Sequence, residues 1–264
     1  MKFDTVLCNP PYNDDRQYPI YDQFTKKFIP LCNQSVWIIP SSWIGNPNWA
    51  VGKQIRKDFD KAGVFFAYRN ENDVFVTADV RTTSVVCVRG WKEGFEFKDR
   101  KTGKSVFKTR KDLLDNKMLF CFDQEEIEFV ERMKTYGNEK IRMFDQKPAT
   151  WKIGVFHLNR DKSKDALGKI RLIDPADLEP QHTKKFLNLW EGKTEEEARE
   201  ILPKIESFWT SKLIQYLLSR VWHTYTINAE IFTWIPVPDY SRVWTDEELY
   251  EKYSVTDAEK KWIE

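Results

Sequence analysis

The sequence predicts an α/β protein whose first half is built on a mainly parallel β-sheet with helices on its faces. Two observations indicate this fold class. Short apolar strand patterns alternate with amphipathic helical patterns over residues 3–90, which is typical of parallel strands joined by helical crossovers. The first strand also runs into two consecutive prolines. Because proline cannot donate to a sheet ladder, the chain must leave the sheet at that point.

The elements of this first half follow in order along the chain. A strand over residues 3–8 precedes a helix over residues 20–33, in which apolar residues recur on one face. Residues 35–40 form a continuous apolar run that ends in proline, as expected for a buried strand. Beyond it, the patterns predict a helix over 48–60, a strand over 64–68 and a strand over 82–88.

A second region with a different pattern begins at about residue 121. It contains an amphipathic helix over 124–136, an alternating strand over 150–158 and an apolar helix over 206–221. Capping-box patterns mark three further helix starts: Thr194 with Glu197, Thr245 with Glu248, and Thr256 with Glu259. We therefore divide the chain into residues 1–120 and an α+β region at residues 121–264.

Composition narrows the classes of function. The formal net charge is +1, which neither marks nor excludes a nucleic-acid-binding protein, since a local basic face is sufficient. No apolar run approaches the roughly 18 residues of a membrane span, and there is no signal-peptide pattern, so we expect no membrane partner and a cytoplasmic location. We expect no metal site, because the histidines have no Glu or Cys at ligand spacing: they are His157, His182 and His223.

The loop Asn9-Pro10-Pro11-Tyr12 follows the first strand, at the edge where open α/β sheets bind ligands. Pro10 holds its own φ at about −65° and restricts the residue before it, so the loop is stiff. Asn9 offers a side-chain carbonyl, Pro10 a main-chain carbonyl and Tyr12 an aromatic face. These groups suit a planar ring that carries an NH2 group. Two acceptors would draw the amino hydrogens out of the ring plane and restore the nucleophilicity of the nitrogen.

Asn9-Pro10-Pro11-Tyr12 after an apolar strand resembles the catalytic motif of S-adenosyl-L-methionine-dependent amino-methyltransferases, above all DNA adenine-N6 methyltransferases of restriction-modification type. The resemblance implies that Asn9, Pro10 and Tyr12 are catalytic and that Pro11 contacts the substrate. It also implies S-adenosyl-L-methionine as cofactor and DNA as partner. The alternative is a proline-stiffened turn with an exposed tyrosine and no catalytic role.

Two further segments carry the same resemblance. Residues 38–43 look like the segment after the fifth strand of that family, and residues 74–86 look like the segment whose aromatic residue packs against the flipped base. Phe75 is then the residue expected to bind the substrate, unless it is an ordinary core phenylalanine. The resemblance implies that residues 1–120 are the catalytic half of a Rossmann-like methyltransferase domain. It implies that residues 121–264 recognise the DNA target.

The glycine-rich cofactor turn of that family is not found in this sequence. None of the 10 glycines lies one or two residues from another. We therefore expect the S-adenosyl-L-methionine pocket to be incomplete in this chain, with its residues unknown. We also expect the strand over 3–8 to lie at a sheet edge. A truncated or split enzyme follows, in which a second chain supplies the cofactor-binding half.

Three alternatives stay open from the sequence. The motif also serves enzymes that methylate RNA or the glutamine amide of a protein, and the chain could instead be a non-catalytic DNA-binding remnant. The basic cluster over residues 98–111 is compatible with phosphate contacts and equally with a solvated hairpin.

Overall fold

The structure is a computed structural model of the chain. It describes residues 2–16, 18–45, 50–71, 82–90, 93–99, 103–114, 121–137, 142–143, 150–156, 169–176, 186–221 and 231–264. The chain divides into two compact units, residues 1–124 and residues 125–264. Each unit has its own sheet.

The first unit contains a six-stranded sheet in the order β1-β2-β4-β3-β5-β6. The strands are β1 (Phe3–Cys8), β2 (Cys32–Pro40), β3 (Val64–Glu71), β4 (Thr82–Val88), β5 (Gly94–Asp99) and β6 (Ser105–Thr109). The pairs β1–β2 and β3–β5 are parallel. The pairs β2–β4, β3–β4 and β5–β6 are antiparallel. The strands predicted from the sequence are confirmed, and β2 and β3 are longer than predicted.

The prediction of a mainly parallel sheet is wrong in its pairing. Strands β1, β2, β3 and β5 share one direction, but β4 lies between β2 and β3 and runs against both. Only ten residues separate Glu71 from Thr82 in the sequence. A parallel neighbour needs a crossover of about a dozen residues or more, so the chain returns beside β3 as an antiparallel strand.

Helices of the first unit cover one face of this sheet. They are α1 (Tyr21–Phe28), α2 (Ser42–Gly45), α3 (Ala50–Ala62) and α4 (Arg110–Leu114). Trp37 and Ile39 of β2 are fully buried in a cluster with Ile55 and Phe59 of α3. The helix predicted over 20–33 ends earlier, at Phe28. A 3-10 turn over Ile29–Leu31 follows it, because a proline at position 30 has no N–H to continue the helix.

The opposite face of the sheet is partly open at β1. Phe3 and Leu7 of β1 point to this face, and they are 48% and 78% exposed. Val36 of β2, Cα-paired with Leu7, is half-buried. Strand β1 is also the last strand on its side of the sheet. An apolar strand at an open edge is a surface that another strand can pair with.

The described part of the basic cluster, residues 98–99 and 103–111, is not exposed throughout. Strands β5 and β6 make an antiparallel pair through this stretch. Lys108 is buried, and Arg110 Nε donates to Asp60 Oδ1 at 2.5 Å. The hairpin alternative therefore describes the backbone of this region, and these two basic residues are engaged within the unit.

The second unit is an α+β arrangement. Its four-stranded antiparallel sheet has the order β7-β10-β8-β9. Its strands are β7 (Arg142–Met143), β8 (Trp151–Phe156), β9 (Ile170–Ile173) and β10 (Phe186–Gly192). Its helices are α5 (Gln124–Lys134), α6 (Glu195–Trp209), α7 (Lys212–Val221), α8 (Asp246–Lys252) and α9 (Asp257–Ile263). The predicted helix over 124–136 and the predicted strand over 150–158 are confirmed.

The single helix predicted over 206–221 is wrong, because the chain breaks between α6 and α7. The Thr210 hydroxyl donates to the carbonyl of Glu206 and the Ser211 hydroxyl to that of Phe208. The Ser211 oxygen in turn accepts the N–H of Ile214 at 3.4 Å. Such side-chain bonds compete with the helical ladder and start a new helix.

All three predicted capping boxes are confirmed at the first residues of α6, α8 and α9. Thr245 Oγ1 accepts the N–H of Glu248, and the Glu248 carboxylate accepts the N–H of Thr245 at 2.9 Å. The hydrogen bonds from the Thr245 main chain and side chain, together with the nearby charge of Arg242, keep the pKa of the Glu248 carboxyl below its ordinary value.

Replacing Thr245 with alanine should therefore destabilise the second unit by about 1 kcal/mol, the usual effect of losing an N-cap side chain. Urea unfolding followed by circular dichroism measures this loss. Thr245→Ser is the control, because it keeps the acceptor oxygen and should retain most of the stability. Equal stability of the alanine variant and the wild type would contradict the role of the cap.

Candidate active site

The loop after β1 is anchored on one side and exposed on the other. Cys8, the last residue of β1, is Cα-paired with Trp37 of β2. Pro10 is buried, whereas Asn9 and Pro11 are exposed. The Asn9 side chain makes no hydrogen bond within the described part of the chain. Its amide therefore stands at the carboxyl end of a parallel strand, on a backbone that two prolines stiffen.

Tyr12 is held against the core of the first unit. Its ring lies edge-on to Tyr21 of α1, with ring centroids 6.3 Å apart, and its carbonyl accepts the N–H of Ile20 at 3.1 Å. Its hydroxyl is buried and has no hydrogen-bond partner among the residues that the structure describes. Burial raises the pKa of the Tyr12 phenol to about 12, so the ring is neutral at physiological pH.

The segment that follows the neighbouring strand β2 lies at the same end of the sheet as the loop after β1, because the two strands are parallel. Trp43 of α2 is fully buried, and its indole N–H donates to the Ser84 hydroxyl of β4 at 2.8 Å. The guanidinium of Arg56 donates to the Trp43 carbonyl. Burial lowers the pKa of Arg56 to about 10, which leaves it charged at neutral pH. These contacts fix the chain that follows β2.

The buried carboxyl group of Asp58 links helices α1 and α3. Asp58 of α3 accepts a hydrogen bond from the Thr25 hydroxyl of α1 at 3.1 Å and another from the Gln54 amide at 2.8 Å. Burial raises the pKa of Asp58 above its ordinary value, and these two hydrogen bonds oppose the shift. The helix that carries Tyr21 is thereby tied to the helix that carries Arg56.

Four of the five predicted site residues lie together on one loop, from Asn9 to Tyr12. The fifth, Phe75, lies outside the described residues. Sequence reasoning missed Ser41, which is fully buried directly after β2 and whose hydroxyl has no partner in the described part. Its position after a strand-ending proline was an available signal. It also missed Arg56, because burial of an arginine leaves no trace in the sequence.

The described residues do not form a recognisable cradle for S-adenosyl-L-methionine. The strand-to-helix turns after β1, β2 and β6 contain no glycine. A glycine-rich turn lets the backbone approach a nucleotide closely before the helix begins. In the described residues there is also no cluster of three or more His, Cys, Asp or Glu side chains that could hold a metal ion. What is present is an acceptor and an aromatic ring on a stiff loop.

Replacing Tyr12 with phenylalanine should raise the free energy of unfolding by about 1 kcal/mol, because it removes a buried hydroxyl that lacks a partner. The raised pKa gives the wild type a second property. Because its phenol has a pKa of 10 in the unfolded chain and about 12 in the folded protein, the free energy of unfolding is unaffected by this group below pH 10 and falls as the pH rises to about 12.

The variant should show a smaller loss of stability over this alkaline range. Urea unfolding of both proteins at neutral pH and across the alkaline range measures the two effects. Tyr18→Phe is the matched control, since Tyr18 is exposed and its hydroxyl carries no burial cost. A less stable Tyr12→Phe protein would show that the hydroxyl has a partner.

No protein-family model matches the chain, and no curated protein sequence matches it. Among solved structures, the chain is similar to a type I restriction-modification system methyltransferase subunit from Streptococcus thermophilus, with 16% identity and a TM-score of 0.32. It is also similar to the type I restriction enzyme EcoKI M protein, with 13% identity and a TM-score of 0.31. The type IIG restriction endonuclease BpuSI matches with 11% identity and a TM-score of 0.33.

These similarities cover only parts of the molecules. The three alignments cover 43%, 83% and 57% of this chain, and 30%, 49% and 21% of the other chains, in the order given above. All three TM-scores lie below 0.5. The function proposed for the site therefore depends on its own residues. No helix among the described residues is long and apolar enough to cross a membrane.

Proposed function

We propose that the chain carries the base-binding loop and the target-recognition region of a DNA adenine-N6 methyltransferase. One observation carries this proposal. An unengaged Asn9 amide is exposed at the carboxyl end of a parallel strand, on a proline-stiffened loop that ends at a firmly packed tyrosine. This arrangement combines a hydrogen-bond acceptor with an aromatic ring at the edge where open α/β sheets bind ligands.

The proposed substrate is an adenine that has left the DNA stack, because its amino group is not accessible within the duplex. Asn9 Oδ1 and the Pro10 carbonyl accept the two amino hydrogens of N6. These bonds draw the hydrogens out of the ring plane and leave the nitrogen lone pair directed away from the ring. Tyr12 contacts the adenine ring, and stacking of this kind is worth about 1–3 kcal/mol per base.

Phe75 and Pro11 complete the proposed contacts to the base. The methyl group comes from S-adenosyl-L-methionine, which supplies an electrophilic methyl sulfonium when bound. The described residues give no cradle for it, so the residues of this chain are assigned only to holding and orienting the acceptor nitrogen. The proposed contribution of the loop is positioning and exclusion of water.

A second chain is part of the proposal. The free edge of β1 and the exposed side chains of Phe3 and Leu7 support it, because an open apolar edge is suited to pairing with a further strand. A partner that binds there would place its cofactor-binding residues next to the loop that follows β1. The second unit, an α+β arrangement over residues 125–264, is proposed to recognise the DNA target.

Coexpression tests the proposed activity. The chain is expressed together with the genes that flank its own, in a host whose DNA lacks N6-methyladenine. The modified nucleosides of the DNA and RNA and the methylated residues of the proteins are then measured. We expect N6-methyladenine in the DNA. Modified bases in RNA alone, or a methylated glutamine in protein alone, would replace the proposal by one of those activities. Unmodified DNA, RNA and protein would leave a non-catalytic DNA-binding role.

A further inference from the structure

A small hairpin-like loop projects from the chain directly after Tyr12. Asn13 and Pro19 form an antiparallel bridge, and the N–H of Ile20 donates to the Tyr12 carbonyl at 3.1 Å. The N–H of Asp14 donates to the Tyr18 carbonyl at 2.8 Å. The loop is thus built on the same backbone segment that positions Tyr12.

The carboxylate of Asp14 locks the tip of this loop. Its Oδ1 atom accepts the main-chain N–H of Arg16 at 2.9 Å and that of Tyr18 at 2.8 Å. Its Oδ2 atom accepts from the Arg16 guanidinium at 3.2 Å. The Arg16 guanidinium carbon lies 5.5 Å from the centroid of the Tyr18 ring. These hydrogen bonds fix the main chain at Arg16 and Tyr18 although the side chains of these two residues gain little burial.

The Tyr18 ring is left open by this arrangement. It is 63% exposed, and the side chain of Arg16 beside it is 80% exposed. A single exposed tyrosine is common on protein surfaces. This one differs because its backbone is fixed by a side-chain and main-chain hydrogen-bond network and because it adjoins the base-binding loop. A rigid ring with a free face loses little conformational entropy when a flat ligand stacks on it.

The charges at the tip favour stacking over phosphate binding. Asp14 pairs with Arg16, and Asp15 adds an exposed carboxylate. The three side chains together carry a net negative charge, which disfavours a phosphate group. A nucleobase is uncharged and presents a π-face, so it suits the Tyr18 ring. The Arg16 guanidinium lies over one face of the ring, so the base stacks on the other face.

The distance between Tyr12 and the tip of the loop is compatible with contact to a base next to the extruded one. Tyr18 pairs with Asp14, which is two residues after Tyr12 in the chain. Two residues of fully extended chain span at most about 7 Å, so the backbone positions of Tyr12 and Asp14 lie within about that distance. Successive nucleotides of one DNA strand rise by about 3.4 Å. The Tyr18 ring can therefore reach a base one or two steps from the adenine that Tyr12 contacts.

We propose that the Tyr18 ring is a stacking platform for an unpaired nucleobase that neighbours the extruded adenine. This inference rests on the proposed function, because it assigns a second protein contact to the DNA strand from which the adenine is extruded. Extruding one base leaves its neighbours without a stacking partner on one side. An aromatic ring at this position compensates for that loss and holds the strand in the distorted form.

Binding of single-stranded DNA to the full chain tests the platform. The probes are a fluorescent oligonucleotide of twelve deoxyadenosines and a strand of the same length without bases, measured by anisotropy at several salt concentrations. Tyr18→Ala should weaken binding of the adenine strand by about 5- to 150-fold, the range that the loss of one stacked base gives. Binding of the abasic strand should change by less than about twofold.

The controls separate stacking from other effects of the substitution. Tyr18→Phe keeps the ring and should bind like the wild type. Phe107→Ala removes a comparably exposed ring, 57% exposed, at the far edge of the same sheet and should have no effect. The salt dependence of Tyr18→Ala binding should match that of the wild type, because no phosphate contact is lost.

The outcome is independent of the coexpression experiment. Unchanged binding by Tyr18→Ala, equal weakening on the abasic strand, or an absence of binding by the wild type would overturn the platform. If N6-methyladenine forms and Tyr18→Ala binds DNA normally, the proposed activity is supported and the proposed stacking on Tyr18 is wrong. If Tyr18→Ala binds weakly and no methylated base forms, Tyr18 contacts a base in a protein that is not the proposed enzyme.

Discussion

Asn9→Ala should reduce methyl transfer by at least about 100-fold, the usual effect of removing one positioned hydrogen-bond partner at a reacting centre. Asn9 is exposed and unengaged within the described part of the chain, so truncating it should leave the fold intact. Its amide oxygen holds the adenine N6 in our proposal. Without it, only the Pro10 carbonyl orients the amino group, and the nitrogen lone pair stays delocalised into the ring.

The measurement compares methyl transfer with DNA binding in the coexpressed enzyme. Asn9→Ala should keep DNA affinity within about tenfold, since one lost hydrogen bond to a neutral group contributes about 0.5–1.5 kcal/mol. Asn13→Ala is the matched control, because Asn13 is an exposed asparagine in the following loop and should retain full activity. Parallel loss of binding and turnover in Asn9→Ala would contradict the catalytic assignment.

Trp43→Ala should destabilise the first unit by about 3–5 kcal/mol, the range for truncating a large buried aromatic residue. Trp43 is fully buried and packs edge-on against Phe59, with ring centroids 5.2 Å apart. Its indole N–H donates to the Ser84 hydroxyl, which links α2 to β4. Truncation creates a cavity in the segment that follows β2. It also removes the indole N–H that donates to the Ser84 hydroxyl.

Urea unfolding of the variant followed by circular dichroism measures this loss. Ser84→Ala isolates the polar part, because it leaves the buried indole N–H without an acceptor at a cost of about 1–3 kcal/mol. Phe107→Ala serves as the exposed control and should change the stability by less than about 0.5 kcal/mol. A loss below about 1 kcal/mol in Trp43→Ala would show that the ring is not part of the core.

The features that local chemistry determines could be predicted from the sequence. Two prolines stop β1 at Cys8, and three capping boxes start helices at the threonines that the pattern marks. The loop from Asn9 to Tyr12 could be placed at a strand end for the same reason. Each of these depends on bonds between residues at most four apart, so a short stretch of sequence contains all the required information.

The features that depend on distant residues could not be predicted. The position of β4 between β2 and β3 could not be predicted, because the strands have similar composition and the sequence does not show which of them will pair. The bond from Arg56 to the Trp43 carbonyl and the burial of Ser41 follow from tertiary packing. The break at Thr210 was hidden because the apolar period continues through it. Local hydrogen bonds, and not hydrophobicity, end the helix there.

The insertion of β4 sets an order for assembling the sheet. Strand β2 pairs with β4, so Ser35 meets Val88 and Pro40 meets Thr83, whereas β1 and β2 can meet as soon as residue 37 is available. During synthesis the two N-terminal strands therefore form a ribbon that keeps one edge open until residue 88 has left the ribosome. Closing the long loop between β2 and β4 is entropically costly and slow. Until β4 is available, the free edge of β2 is exposed to pairing with other chains.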